Sequence, residues 1–329
     1  MNRYKLSYSC REFKMTKQIA GQLLTAFVII LFILLSLGGY SFADSSGAEI
    51  SASGIKFKQE KNISMETEEL FISQKKIKVS CVFKNHSDKD IIIEVAFPVP
   101  EYDSDDAERG LPFNDFTVMV NGKKRKYGTE VRALVNGKDY SNILRQMGIS
   151  IHDFGGSKYP HYKKFYPSLP RKDKKTLLQA GLVNSAGIAL WTVSIKHHWT
   201  QKFPANSSIE ISHTYTPWWG YSLVDGSDIK NKQSYLYKDA CISEATSHWM
   251  AQTLTDERPI SVTIIGYILV TAKNWRTPIK NFHLVIEKDA IEKLGVCFDH
   301  KVVKKSDTQY ESQIENFIPK QNLKVYLFR

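Results

Sequence analysis

Beyond residue 60 the chain alternates apolar and polar positions with a period of two, which marks strands with one buried face. Residues 76–84 show it most cleanly, with Ile77, Val79, Cys81 and Phe83 on one side. Residues 63–72 mix polar and apolar positions, and residues 91–97 are a second apolar run. The polar cluster Asn85-His-Ser-Asp-Lys-Asp90 between them predicts a hairpin of 76–84 with 91–97. Pro98 and Pro100 end it, because proline has no N–H for a ladder. Asn121-Gly122, set between residues 116–120 and 123–127, is the strongest short hairpin signal in the chain.

The same alternation returns at Ile188. Trp191, Val193, Ile195, His197, Trp199, Gln201 and Phe203 share a face, and Ile209, Ile211, His213 and Tyr215 share another. With Pro204-Ala-Asn-Ser-Ser208 as a five-residue turn, parity predicts a hairpin that pairs Phe203 with Ile209 and Trp199 with His213. Further strands are expected at 260–271, 282–287, 296–303, 310–317 and 323–328. Helical spacing is rarer. Ile143, Leu144 and Met147 mark a short helix within 139–148, stopped by Gly148. Asp173 is the expected cap of a helix over 174–180, closed by Gly181. Asp239 is the expected cap of one longer helix over 240–254, with Ile242, Ala245 and Trp249 on one face. Gly155-Gly156, Pro160, Pro167 and Pro170 break up the stretch between the first two, so residues 139–187 read as a partly helical insertion. The fold class is mainly β: antiparallel sheets packed as one or two sandwiches, with that small helical insertion and one longer helix packed on a sheet.

The first 43 residues follow another pattern. Arg3, Lys5, Arg11, Lys14 and Lys17 precede an apolar run over 19–37, and Ser41 and Ala43 then place small residues at a cleavage site. This is the layout of a secretory signal peptide cleaved near Ala43, leaving a β-rich module over 44–329 in the periplasm or secreted. An uncleaved anchor is the rival, since the run approaches the ~20 residues of a membrane span. Gln22, Thr25 and Ser36 dilute its apolarity, and membrane contact is expected only through this leader. A lipoprotein needs a cysteine just after the run, and Cys10 precedes it.

Charge and cysteines change the picture modestly. Of the net +11, the leader carries +4, leaving +7 spread over the rest. The densest basic patches are Lys123-Lys124-Arg125-Lys126 and the stretch 171–175. Such patches can touch anionic lipid, polysaccharide or nucleic acid. They read here as a solvated hairpin tip and a helix start, and export argues against a nucleic-acid partner. Beyond the leader remain Cys81, Cys241 and Cys297, so at most one internal bridge forms. Cys81 lies on an apolar strand face and reads as a small buried hydrophobe, which leaves Cys241 and Cys297 as the candidate pair.

Several strings together resemble a known family. They are Ile63-Ser-Met-Glu-Thr-Glu-Glu-Leu-Phe-Ile-Ser73, Asn85-His-Ser-Asp-Lys-Asp90 with Val95-Ala-Phe-Pro-Val-Pro100, Val120-Asn-Gly-Lys123, Trp199-Thr-Gln-Lys-Phe-Pro204, His213-Thr-Tyr-Thr-Pro217 and Asn281-Phe-His-Leu-Val285. This is similar to the bacterial domain-of-unknown-function family 4424, over about residues 44–329. The resemblance implies an exported bacterial protein and no activity. It also implies recurring cysteines near the 240–254 helix and near Val296, which supports a Cys241–Cys297 bridge. Cys81 departs from the family pattern.

Candidate chemistry is thin. His197 and His213 share a face in the expected hairpin and are weak candidates for two metal ligands, but no spacing indicates a third. The competing reading of His213 is a hydrogen-bonded core histidine beside Trp199. There is no Gly-x-Ser-x-Gly elbow, and Cys241 and His248, seven residues apart, are too distant for a direct hydrogen bond. No phosphate loop or dinucleotide fingerprint implies a cofactor. Glu101, Asp103, Asp105, Asp106 and Glu108 supply carboxylates in one loop, while Trp218, Trp219 and Tyr221 supply stacking faces for a sugar. The expectation is a non-catalytic binding or structural module of the cell envelope, with any site near Trp218, Trp219 and Tyr221 and an envelope protein or glycan as partner. The alternative is a secreted or periplasmic hydrolase acting on envelope or host glycans or peptides.

Overall fold

The computed structural model describes residues 46–51, 54–104, 115–151, 166–255 and 258–329. The leader, the carboxylates Asp105, Asp106 and Glu108, and the middle of the 139–187 insertion lie outside the described residues. In chain order the strands are β1 (Ser46–Ser51), β2 (Gly54–Phe57), β3 (Ile63–Ile72), β4 (Ile77–Asn85), β5 (Ile91–Pro98), β6 (Tyr102–Asp103), β7 (Thr117–Val120), β8 (Lys123–Arg125), β9 (Gly128–Val135), β10 (Lys138–Asp139), β11 (Thr192–Phe203), β12 (Ser208–Tyr215), β13 (Trp219–Leu223), β14 (Ser261–Tyr267), β15 (Ile279–Glu287), β16 (Lys293–Val296), β17 (Val303–Lys304), β18 (Gln309–Phe317) and β19 (Leu323–Phe328).

They form three sheets. The first runs β10-β9-β11-β5-β1-β2, with β6 also on β11; the second runs β17-β18-β15-β3-β4-β12-β7-β8; the third runs β13-β14-β19-β16. Pairing is antiparallel except that β15 lies parallel to β3 among the described strands. The mainly β, antiparallel expectation holds.

Two expected hairpins are corners instead. Strand β4 pairs with β3 and β12, while β5 pairs with β11 and β1 in the other sheet. Likewise β11 pairs with β5 and β9, and β12 with β4 and β7. Trp199 therefore lies opposite Val95, and His213 opposite Val79 and Val118. The parity was right, because odd positions of both strands point inward. The partner was wrong, because two facing sheets bury those positions as well as one hairpin does. The two corners are tied together: the Asn85 amide donates to the Phe203 carbonyl (3.0 Å), and the Asn206 N–H donates to the Ser87 carbonyl (3.0 Å). The Asn121-Gly122 hairpin is present, with φ of 48° and 71° at its two turn residues and Val120 opposite Lys123.

The main core fills the space between the first two sheets. Val95 and Phe97 of β5 and the odd residues of β11 face Val79, Cys81 and Phe83 of β4 and the odd residues of β12. Phe83 meets Trp275 at 4.7 Å between centroids and Phe203 at 6.1 Å, plugging the corner end. Fully burying each such ring is worth about 3 kcal/mol.

A second, smaller core lies on the other face of the third sheet. Val262, Tyr326 and Phe328 point into it, while Ile265, Tyr267, Leu323, Val325 and Leu327 point into the main core. Strands β14 and β19 are thus buried on both faces. Helices cover the second core, and here the expected helix over 240–254 is divided. One helix spans Tyr235–Lys238 and another Glu244–Thr253. Asp239 ends the first rather than capping a longer one, Cys241 takes a φ of 46°, and the Ser243 hydroxyl accepts from the Thr246 N–H to start the second. Cys241 is disulfide-bonded to Cys297, Cα to Cα 4.9 Å, just beyond β16. Gly295 on β16 permits this approach, since a Cβ there would come 2.9 Å from the Ala240 carbonyl oxygen.

Smaller corrections follow from prolines and loops. The second insertion helix begins at Arg171 after Pro170, which places Asp173 in its first turn and not at its cap. The strand expected over 260–271 stops at Tyr267 and gives way to a 3-10 turn, Val270–Asn274. The strand expected over 296–303 is absent: residues 297–302 are not strand, and only its two end residues belong to β16 and β17, which lie in different sheets. No helix among the described residues is long and apolar enough to cross a membrane.

Candidate functional site

Alternation on β11 and β12 sends both candidate histidines inward from facing sheets. His197 is 3% exposed and His213 1% exposed. Phe116 stacks on His197 at 4.2 Å and 19° between ring planes, and Phe97 meets His213 at 4.1 Å. The His197 Nδ1 shares a hydrogen bond of 2.9 Å with the Thr129 hydroxyl. No hydrogen-bond partner among the described residues reaches either ring nitrogen of His213. Burial pushes the His197 pKa down to about 4, with the neighbouring His198 adding to the effect. Burial pushes His213 down to about 3, with His197 adding to it. Both rings are therefore neutral and packed like aromatic side chains. Among the described residues no group of three or more His, Cys, Asp or Glu could hold a metal ion.

The aromatic candidates lie at the end of β12 and on the next strand. Trp218 is half-buried with its ring 5.3 Å from that of Tyr102 on β6. Trp219, Tyr221 and Leu223 share one face of β13 by strand alternation. Trp219 is half-buried, whereas Tyr221 is 59% and Leu223 52% exposed. Strand β13 pairs with β14 on one side, and among the described residues nothing pairs with its other side. This gives an apolar row along a strand edge that has no ladder partner among the described residues. Of the acidic loop, Glu101 is exposed, and Asp103 accepts from the Thr192 hydroxyl at 3.2 Å on the β6 edge.

A polar cluster that no sequence spacing signalled sits at the start of β3. Ser64 Oγ lies 2.7 Å from His86 Nε2, and Glu66 reaches Ser64 and Lys280. Glu66 is the extra residue at a ladder irregularity between Met65 and Thr67, and the parallel pairing of Thr67 with Asn281 brings it beside Lys280. Burial, with Arg276 nearby, holds the His86 pKa below its ordinary value. The arrangement is not a nucleophile relay. Glu66 approaches the same Nε2 that faces Ser64, at 3.7 Å, whereas a relay acid must hold the other ring nitrogen. Ser64 is also fully buried. The cluster fastens β3 to the end of β4.

Comparison with known proteins bears on this chain as follows. The family model that matches residues 43–326 is described as Domain of unknown function (DUF4424). No curated protein matches the chain. Among solved structures, a Legionella pneumophila protein described as a candidate nutrient-binding protein is 14% identical, covering 87% of this chain and 72% of its own, with a TM-score of 0.40. Yeast LTA4 hydrolase bound to bestatin is 10% identical over 83% of this chain, which spans 30% of that enzyme, with a TM-score of 0.30. Both scores lie below 0.5, and neither likeness assigns an activity or ligand.

Proposed function

This chain belongs to the DUF4424 family, which carries no assigned activity, and from that premise we propose that it is an exported, non-catalytic binding module of the bacterial cell envelope. The observation that carries the reading is the row on β13: Tyr221 and Leu223 stand exposed beside Trp219 on a strand with one unpaired edge among the described residues. One exposed and two half-buried aromatic rings at a strand edge without a ladder partner among the described residues suit an extended polypeptide or a glycan, with Trp218, Trp219 and Tyr221 as its contacts. Export is supported by the leader pattern in residues 1–43 and by the Cys241–Cys297 disulfide, which suits an oxidising compartment.

The hydrolase reading would need convergent polar groups in a pocket. Glu101 and Asp103 stand on an exposed edge, and His197 and His213 are sealed in the core, so no observation favours it. The test is native mass spectrometry of the protein purified from its own envelope beside a denatured sample. Excess mass in the native state that disappears in Tyr221→Ala supports the proposal. Excess mass that Tyr221→Ala retains places the ligand elsewhere and sinks the β13 assignment.

A further inference from the structure

Lys123, Lys124, Arg125 and Lys126 are all exposed, as a solvated hairpin tip would have them. That reading leaves out what three of them surround. Lys124, Arg125 and Lys126 line an open groove of about 560 Å³ together with Glu94 on β5 and His198 and Thr200 on β11. Glu94 is the one carboxylate among the described residues that line the groove, and the protein already occupies it. Its Oε1 lies 2.6 Å from His198 Nδ1, and its Oε2 accepts from the Thr200 hydroxyl at 2.9 Å. Gly128, opposite His198 in the ladder, lets the imidazole take this position, because a Cβ there would come 2.6 Å from Nε2. Arg125 donates to the Thr200 carbonyl at 3.2 Å, which anchors the guanidinium at the rim. Among the described residues no carboxylate pairs with Lys124, Arg125 or Lys126.

Three cations without a carboxylate partner among the described residues thus border one solvent-open volume, whose one described carboxylate is satisfied from within. From this we infer that the groove binds a phosphate group, as a monoester or diester. A planar guanidinium offers paired donors to a tetrahedral oxyanion, and two ammonium groups add point charge around it. The cations follow a tight two-residue hairpin, and the β5 and β11 residues of the groove sit on two paired strands, so the opening is held in place before the ligand arrives. The phosphate arrives either on a free small molecule or on a lipid headgroup. This site is separate from the β13 row and does not depend on it.

The test measures binding of the full chain to inorganic phosphate, to glycerol 3-phosphate, and to vesicles of phosphatidylglycerol against phosphatidylcholine. The K124Q/R125Q/K126Q variant changes only exposed side chains, so its thermal midpoint should match the parent. It is expected to weaken binding by about tenfold or more. The control R171Q/K172Q/K175Q removes equal charge from the other basic patch and should change binding by less than about twofold. Binding of soluble phosphates would identify a free ligand, and binding of anionic vesicles alone would identify a lipid headgroup; either supports the site. Equal losses in variant and control would show that net charge alone acts, and would overturn it. Absence of binding to every probe would overturn it as well.

Discussion

The imidazole of His213 lies 4.1 Å, centroid to centroid, from the ring of Phe97, the two reaching across from opposite sheets. With Phe116 on His197, this contact makes the centre of the sandwich an aromatic stack in which two members can take up a proton. Burial holds both in the neutral form at ordinary pH. The stack therefore behaves as hydrophobic core only while it stays unprotonated.

The first expectation concerns acid. Each histidine moves from an ordinary value of 6.5 down to about 4 for His197 and about 3 for His213. The unfolded chain binds protons first, so stability is full above 6.5 and falls progressively as the pH drops toward the folded values. The loss by about pH 5 should be on the order of 2 kcal/mol per ring. Urea midpoints between about pH 7.5 and about pH 5 check this above the range where ordinary carboxylates titrate. A flat profile would contradict the neutral buried pair.

A second concerns His213 itself. Its ring nitrogens are buried without a hydrogen-bond partner among the described residues, which costs about 1–3 kcal/mol per unsatisfied group. His213→Leu is accordingly expected to keep or raise the thermal midpoint at neutral pH and to reduce the acid dependence. A large loss at neutral pH would mean that the imidazole serves a polar partner.

The third concerns Phe97, which also touches Phe116, Tyr215 and Tyr267. Phe97→Ala should cost about 3–5 kcal/mol, since rigid neighbours from both sheets and from β14 cannot all close on the space. Denaturant titration reads the change directly. By contrast Ile92→Ala, on a side chain 65% exposed in the same strand, should stay within about 0.5 kcal/mol.

The fourth concerns the disulfide. Cys241 and Cys297 are 56 residues apart in sequence, and closing a loop of that length in the unfolded chain is worth about 4 kcal/mol. Reduction, or C241S/C297S, should lower the thermal midpoint. Hydrogen exchange should quicken first around Ala240, Ile242 and Met250, which belong to the smaller core. Uniform acceleration throughout the main core instead would show that the two cores do not unfold separately.

Sequence alone determined which side of each strand turns inward. The alternation of β4, β11 and β12 named Val79, Phe83, Trp199, His213 and Tyr215 as core, and each is buried. It determined the Asn121-Gly122 turn, because the positive φ at both positions is a local demand those residues meet. Tertiary structure decided partners. A period of two says that a face is apolar, and it is satisfied equally by a neighbour in the ladder and by a sheet stacked opposite. That is why β11 and β12 read as one hairpin and stand in two sheets. The longer helix was also decided from outside, where the bridge to Cys297 and the left-handed turn at Cys241 interrupt a pattern that looked continuous. The phosphate groove was equally hidden. Its cations were plain in residues 123–126, but their shared opening with Glu94 and His198 arises only where β5, β8 and β11 meet, and long-range pairing of that kind leaves no trace in local spacing.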